Sequence, residues 1–247
     1  MTIAKATRAT ASKLSTASIK SKKKAFCWSR PTFSPEHGVL LILFGSFLTG
    51  AALAQQWTYN TTLALVCAFF ALQAEHPYIV QIKLRKNLKP RYLIWGGIYS
   101  AIASSLAIFL WLQTPGLLIL YLGAIIGLIA DAIAVIKGKH KSRVNEFVGF
   151  AAICLAAPLA YGATTGSLST SAIAIWILNT LFFSSAIYTI KLRRKKTAAF
   201  KPGIIYHCLA DLIVFGLYSL GYLSLVTALS FTVALIKLVI VYGFQDW

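Results

Sequence analysis

Apolar residues fill this chain in long runs, and polar residues collect in short breaks between them. Eight runs follow one another at about 38–55, 59–81, 92–112, 116–136, 146–164, 170–190, 204–222 and 225–243. Each approaches the ~20 residues that a helix needs to cross a bilayer. The last two share one apolar stretch too long for a single span, and Gly221-Tyr222 is the place for a tight turn. The pattern predicts an all-α polytopic membrane protein, a bundle of about eight transmembrane helices over residues 36–247.

Charge sharpens that picture. Only 12% of the 247 residues are charged and 58% are hydrophobic, whereas soluble domains carry about 25% charged residues. The net charge of +18 would point to nucleic acid in a soluble protein. Here the cations lie between apolar spans, which indicates membrane topology, attraction to anionic lipid headgroups and no nucleic-acid partner. Of the 24 Lys and Arg, all but Lys237 fall in the first 35 residues or in the breaks after the second, fourth and sixth runs. The other breaks contain none. This alternation places both termini in the cytoplasm. Trp57, Tyr59 and Trp111 at one edge and Tyr92 and Trp95 at the other suit aromatic belts.

Residues 1–35 hold eight basic residues and no acid, with much Ser, Thr and Ala. They read as a disordered basic tail in a bacterial inner-membrane protein. The alternative is a transit peptide, which would place the chain in an organelle membrane. The four cysteines (Cys27, Cys67, Cys154, Cys208) show no metal-binding spacing and read as small buried hydrophobes.

Ionisable groups inside a membrane are costly and mark cavities or interhelical pairs. At about 1.5 Å per residue, Glu146 lies about 4 Å in from the nearest basic loop residue, Asp131 and His207 about 9 Å, Glu75 about 12 Å and Asp211 about 15 Å. His76 follows Glu75, and Pro77 follows that, where it frees a carbonyl. His37 stands at the entry to the first span. A cytoplasm-facing polar cavity would be lined by His37, Glu75, Glu146, His207 and Asp211. Arg85, Arg143, Lys191 and Arg193 at its rim would hold an anionic head. His207 and Asp211, four apart, share a helix face, which a structural hydrogen bond would also explain. Asn179, near mid-membrane, reads as interhelical glue, with Tyr188 lower on the same span. No DxxxD or DDxxD occurs, so no metal site is assigned. Mg²⁺ enters only if Glu75, Asp131, Glu146 or Asp211 converge in space. P-loop, GxSxG, HExxH and Rossmann glycine patterns are absent as well.

Glu36-His37-Gly38, Arg143…Asn145-Glu146, Ala157-Pro158-Leu159-Ala160-Tyr161 and Tyr188…Lys191-Leu192-Arg193 together resemble the YwiC-like bacterial membrane proteins over roughly residues 36–245. The resemblance implies membrane class and brings no activity with it. A more distant similarity, in helix count and in polar groups gathered on the cytoplasmic side, is to the UbiA-type prenyltransferases. Those have nine helices and two aspartate-rich motifs, which this sequence lacks. The ending at Gln245-Asp246-Trp247, just past a span, is read as a truncated form of a longer pattern. Three functions stay open: a cavity that binds or transforms an anionic or prenyl-type amphiphile, a small-solute or proton-coupled transporter, and a non-catalytic membrane scaffold or assembly protein. Protein partners are not legible.

Overall fold

The computed structural model describes residues 31–34, 37–84, 87–139, 141–192 and 200–243. They form α1 (His37–Leu53), α2 (Tyr59–Leu84), α3 (Pro90–Gln113), a 3₁₀ turn (Pro115–Leu117), α4 (Leu118–Ile136), α5 (Arg143–Cys154), α6 (Ala156–Thr165), α7 (Thr170–Leu192), α8 (Phe200–Ser219) and α9 (Leu225–Gly243). α5 and α6 continue one another, so the described residues make eight rods that match the eight apolar runs. Six are long and apolar enough to cross a membrane, and α1 and α9 are shorter apolar helices. No strand occurs among the described residues.

These helices are apolar on nearly every side. Leu122, Ile126 and Ile129 of α4 and Leu209 and Leu212 of α8 are all more than half exposed. Such surface requires hydrocarbon around it. The chain is a polytopic integral membrane protein.

The turns are written in the sequence. Gly138 and Gly221 take positive φ, 69° and 80°, which costs glycine nothing. Around each, the chain closes in a Schellman pattern. Gly138 N donates to Val135 O and Lys139 N to Ala134 O, while Gly221 N donates to Tyr218 O and Tyr222 N to Leu217 O. Hydroxyls begin the next helices. Thr58, Ser142, Ser169 and Ser224 each accept a backbone N–H from three residues on. In the α2–α3 turn the amide of Gln81 donates to Asn87 O and accepts from Lys89 N. The described turns after α2 and α4 carry basic residues, those after α1, α3, α6 and α8 carry none, and the basic run after α7 lies outside the described residues. The bundle thus has a basic end and a neutral end. At the basic end Pro31–Ser34, the last part of the expected tail, lie on the bundle. Phe33 stacks on Tyr99, Ser34 N donates to Gln73 Oε1, and Arg91 donates to Pro31 O.

Two buried clusters hold the rods together. One joins α1, α2, α3, α4, α5 and α6 around Phe47, Leu110, Leu117 and Ala160. The other joins α7, α8 and α9 around Leu178, Ala210, Val214 and Phe231. α7 is the link between them. Its Asn179 donates to Thr49 Oγ1 (2.7 Å) and Ser46 Oγ (3.3 Å) of α1, the interhelical role the sequence assigns to it.

The fifth apolar run is a broken rod rather than one straight span. At Leu155 the chain tightens and its N–H turns to Ala152 O, three residues back. That releases Ala151 O, which accepts from Trp176 Nε1 of α7 at 2.8 Å. Pro158 has no N–H, so it releases Cys154 O, and Ser46 Oγ of α1 donates to that carbonyl at 3.0 Å. Each freed carbonyl is taken by a side chain from another helix. α1 crosses the break at Gly50, where an added Cβ would press directly on the backbone of Ala157.

Gly50→Ala is therefore expected to cost about 3 kcal/mol, at the top of the usual range for overpacking, whereas Gly97→Ala, with nothing near its missing Cβ, is expected to gain up to about 1 kcal/mol. Reversible unfolding of both variants in bilayers or mixed micelles checks the contrast. Ser46→Ala strands a buried carbonyl and is expected to cost about 1–3 kcal/mol. In a Pro158→Ala background, where the backbone N–H returns, a double-mutant cycle should show that cost largely removed.

Candidate functional site

The break in the fifth span opens a cleft of about 250 Å³ between α2, α4 and α5–α6. Its floor is apolar and buried: Leu43, Cys67, Leu120, Ala156 and Leu159 line it and each is 8% exposed or less. Its lip is exposed, with Ala71 on α2 and Ala124, Ile125 and Leu128 on α4. The cleft therefore opens sideways, toward the surroundings of the bundle, and its walls belong to α1, α2, α4, α5 and α6. An engineered apolar cavity of about 150 Å³ holds benzene, so the space admits a branched hydrocarbon segment.

Small residues make the opening. Ala68, Ala71, Ala124, Gly127, Gly149 and Ala152 stand where larger side chains would fill it. At Gly127 an added Cβ would meet Ala152, so α4 and α5 touch closely beneath the cleft wall.

Two carboxylates enter the same cleft, Glu75 from α2 and Asp131 from α4. Both lie toward the basic end of their helices. Asp131 is oriented by Asn145 of α5, whose Nδ2 donates to Oδ1 at 2.6 Å. Asn145 owes its place to Ser142, which caps α5 through the Asn145 N–H. Tyr121 also lines the cleft, and its buried hydroxyl has no hydrogen-bond partner among the described residues. Cys67 Sγ on the floor donates to Ala103 O.

The other expected site residues are distributed more widely. Glu146 and Arg143 lie in the first turn of α5, half-buried, beside Asn145, and His76 lies half-buried on α2 next to Glu75. His37 is exposed at the start of α1. His207 and Asp211 stand on α8, and Asn179 and Tyr188 on α7. None of these four lines the cleft. Arg85 and Arg193 lie outside the described residues, as does the side chain of Lys191. Glu75 and Asp131 therefore meet at one site without Asp211, and among the described residues no group of three His, Cys, Asp or Glu side chains is placed to hold a metal ion.

Sequence reasoning missed Tyr121 and the contribution of Pro158 as helix breaker. Tyr121 is the only tyrosine inside the fourth apolar run. An isolated phenol in a run of Leu, Ile and Ala, three turns above an intramembrane Asp, was the available signal.

No curated protein matches the chain, and no solved structure does. The YwiC-like protein family matches residues 33–161. That span runs from the docked Phe33 into α6 and contains every residue that lines the cleft, while the α7 motif noted in the sequence lies beyond it. Since the match covers more than half of the 247 residues, the chain belongs to the YwiC-like protein family.

Proposed function

We propose that the cleft binds an amphiphile from the surrounding bilayer, of anionic or prenyl type, and presents its head to the two carboxylates. The observation that carries this reading is the sideways opening: an apolar floor closed within the bundle, a lip that faces hydrocarbon, and acids at only one end. A lipid chain enters such a space from the membrane without crossing water.

The head end is the basic end. Lys137, Lys139 and Lys141 are exposed in the α4–α5 turn just past Asp131, and Arg143 follows. Ammonium and guanidinium groups at that level match a phosphate. Glu75 and Asp131 sit one layer deeper, at the junction of head and tail. There they can accept hydrogen bonds or a proton from a hydroxyl, which equips the site to transform its ligand as well as hold it. On the positive-inside rule the basic end faces the cytoplasm, and the bacterial inner membrane is the setting this reading assigns. The cationic turns also draw anionic lipid to the cleft mouth, at about 1 kcal/mol per Lys or Arg near the surface.

Ala124→Phe tests this. Ala124 is exposed on the lip, so the larger ring is tolerated by the fold while it blocks the opening. Native mass spectrometry and lipid analysis of gently purified protein, with and without Mg²⁺, should find one specific amphiphile enriched over bulk lipid. Ala124→Phe and Ala71→Phe should each reduce it about tenfold or more, equivalent to about 1.4 kcal/mol of binding, at unchanged unfolding midpoint. Bulk lipid alone, or a specific lipid indifferent to both substitutions, would overturn the proposal.

A further inference from the structure

Outside the cleft, α7 and α8 carry a second set of buried polar groups. His207 is 2% exposed, Ser184 0% and Thr180 6%. The His207 Nδ1 lies 2.8 Å from Gly203 O. A carbonyl only accepts, so in the neutral ring Nδ1 carries the proton and Nε2 is left as an acceptor. That Nε2, the Ser184 hydroxyl and the Thr180 hydroxyl are all buried without a hydrogen-bond partner among the described residues. Ser184 lies beside Tyr206 and Thr180 beside Cys154, but neither pair is aligned as a full hydrogen bond.

The register of the two helices sets these three groups along one seam. α7 and α8 run antiparallel, and Gly203 packs against the Cβ of Tyr188. Leu181 and Ala210 share the buried cluster two turns further on, and Tyr206 Oη donates to Leu181 O at 2.7 Å. Between those contacts, one turn from Gly203 and one turn back from Tyr188, His207 on α8 comes level with Ser184 on α7. Thr180 follows one turn beyond Ser184 on the same face. The stacked rings of Tyr188 and Tyr206, 4.5 Å apart, and the ring of His207 set edge-on against both close the seam toward the basic end.

An unpartnered polar group costs about 1–3 kcal/mol inside a protein, and in a bilayer no solvent relieves it. Three such groups, a ring nitrogen that accepts and two hydroxyls that both donate and accept, make a partner set for a buried water, which typically forms about three hydrogen bonds. We propose that the α7–α8 seam binds an ordered internal water, which donates to His207 Nε2 and accepts from Ser184 Oγ, with Thr180 Oγ1 as the third partner. This hydrated seam is separate from the cleft: its residues stand on helices of the second buried cluster, line no part of the cleft and lie beyond the region the family matches.

Solid-state NMR on the full chain in bilayers, with ¹⁵N-labelled histidine, tests it directly. The chain has four histidines, and His207→Phe assigns the signal. The expected result is a ring in the Nδ1–H form whose Nε2 receives magnetisation from water at short mixing times. Ser184→Val, which removes one partner and fills the space, should reduce that transfer to background. Thr180→Val, of nearly the same shape, provides the second test should Ser184→Val fail to fold. An Nε2–H tautomer, no transfer from water in the unaltered protein, or transfer that persists in the folded variants would overturn the proposal. Lipid retention in the cleft should be the same in all of them.

Discussion

A backbone carbonyl cannot be left open in hydrocarbon, and this bundle is arranged around two that the helix itself gives up. Pro158 releases Cys154 O, and the tightened turn at Leu155 releases Ala151 O. Ser46 of α1 and Trp176 of α7 take them, so the break pins three rods at one level. Asn179 then ties α7 to Ser46 and Thr49 on α1, and Gly50 lets α1 lie on the backbone of Ala157. The constraint is strict because the alternative is an unsatisfied group costing several kcal/mol in lipid. It also accounts for the cleft. Ile153, Leu155, Ala156 and Leu159 around the break all face it, and irregular helix in a membrane is tolerated where protein or a cavity receives it.

Much of this was legible as pattern. Apolar length gave the eight rods, and Gly221 gave the turn between the last two, because only a residue without Cβ closes that bend cheaply. Asn179 read correctly as interhelical glue, since an amide at mid-membrane must find a partner. The break was not legible. Pro158 lies in a run of alanines that reads as close helix packing, and nothing local says that Ser46, more than a hundred residues away, will receive the carbonyl.

The polar groups illustrate a different limit. Counting residues from a basic loop gives height in the membrane and says nothing about direction around the helix. Glu75 and Asp131 were placed at similar depth, and they do share one cleft. His207 was placed at the same depth as Asp131, yet it turns into the seam between α7 and α8, packed against Tyr188 and Tyr206. Height came from the sequence, and azimuth came only from packing.

The short segment Pro31–Ser34 fixes a point of attachment. With Phe33 on Tyr99, Ser34 on Gln73 and Pro31 O held by Arg91, four residues outside any helix are fastened across α2 and α3 at the basic end. Fixing each such residue costs about 1–2 kcal/mol of backbone entropy, which the stacked ring and the two hydrogen bonds must offset. The segment thus acts as a clasp on the α2–α3 hairpin, and loosening it would free that end of the hairpin before any other part of the bundle.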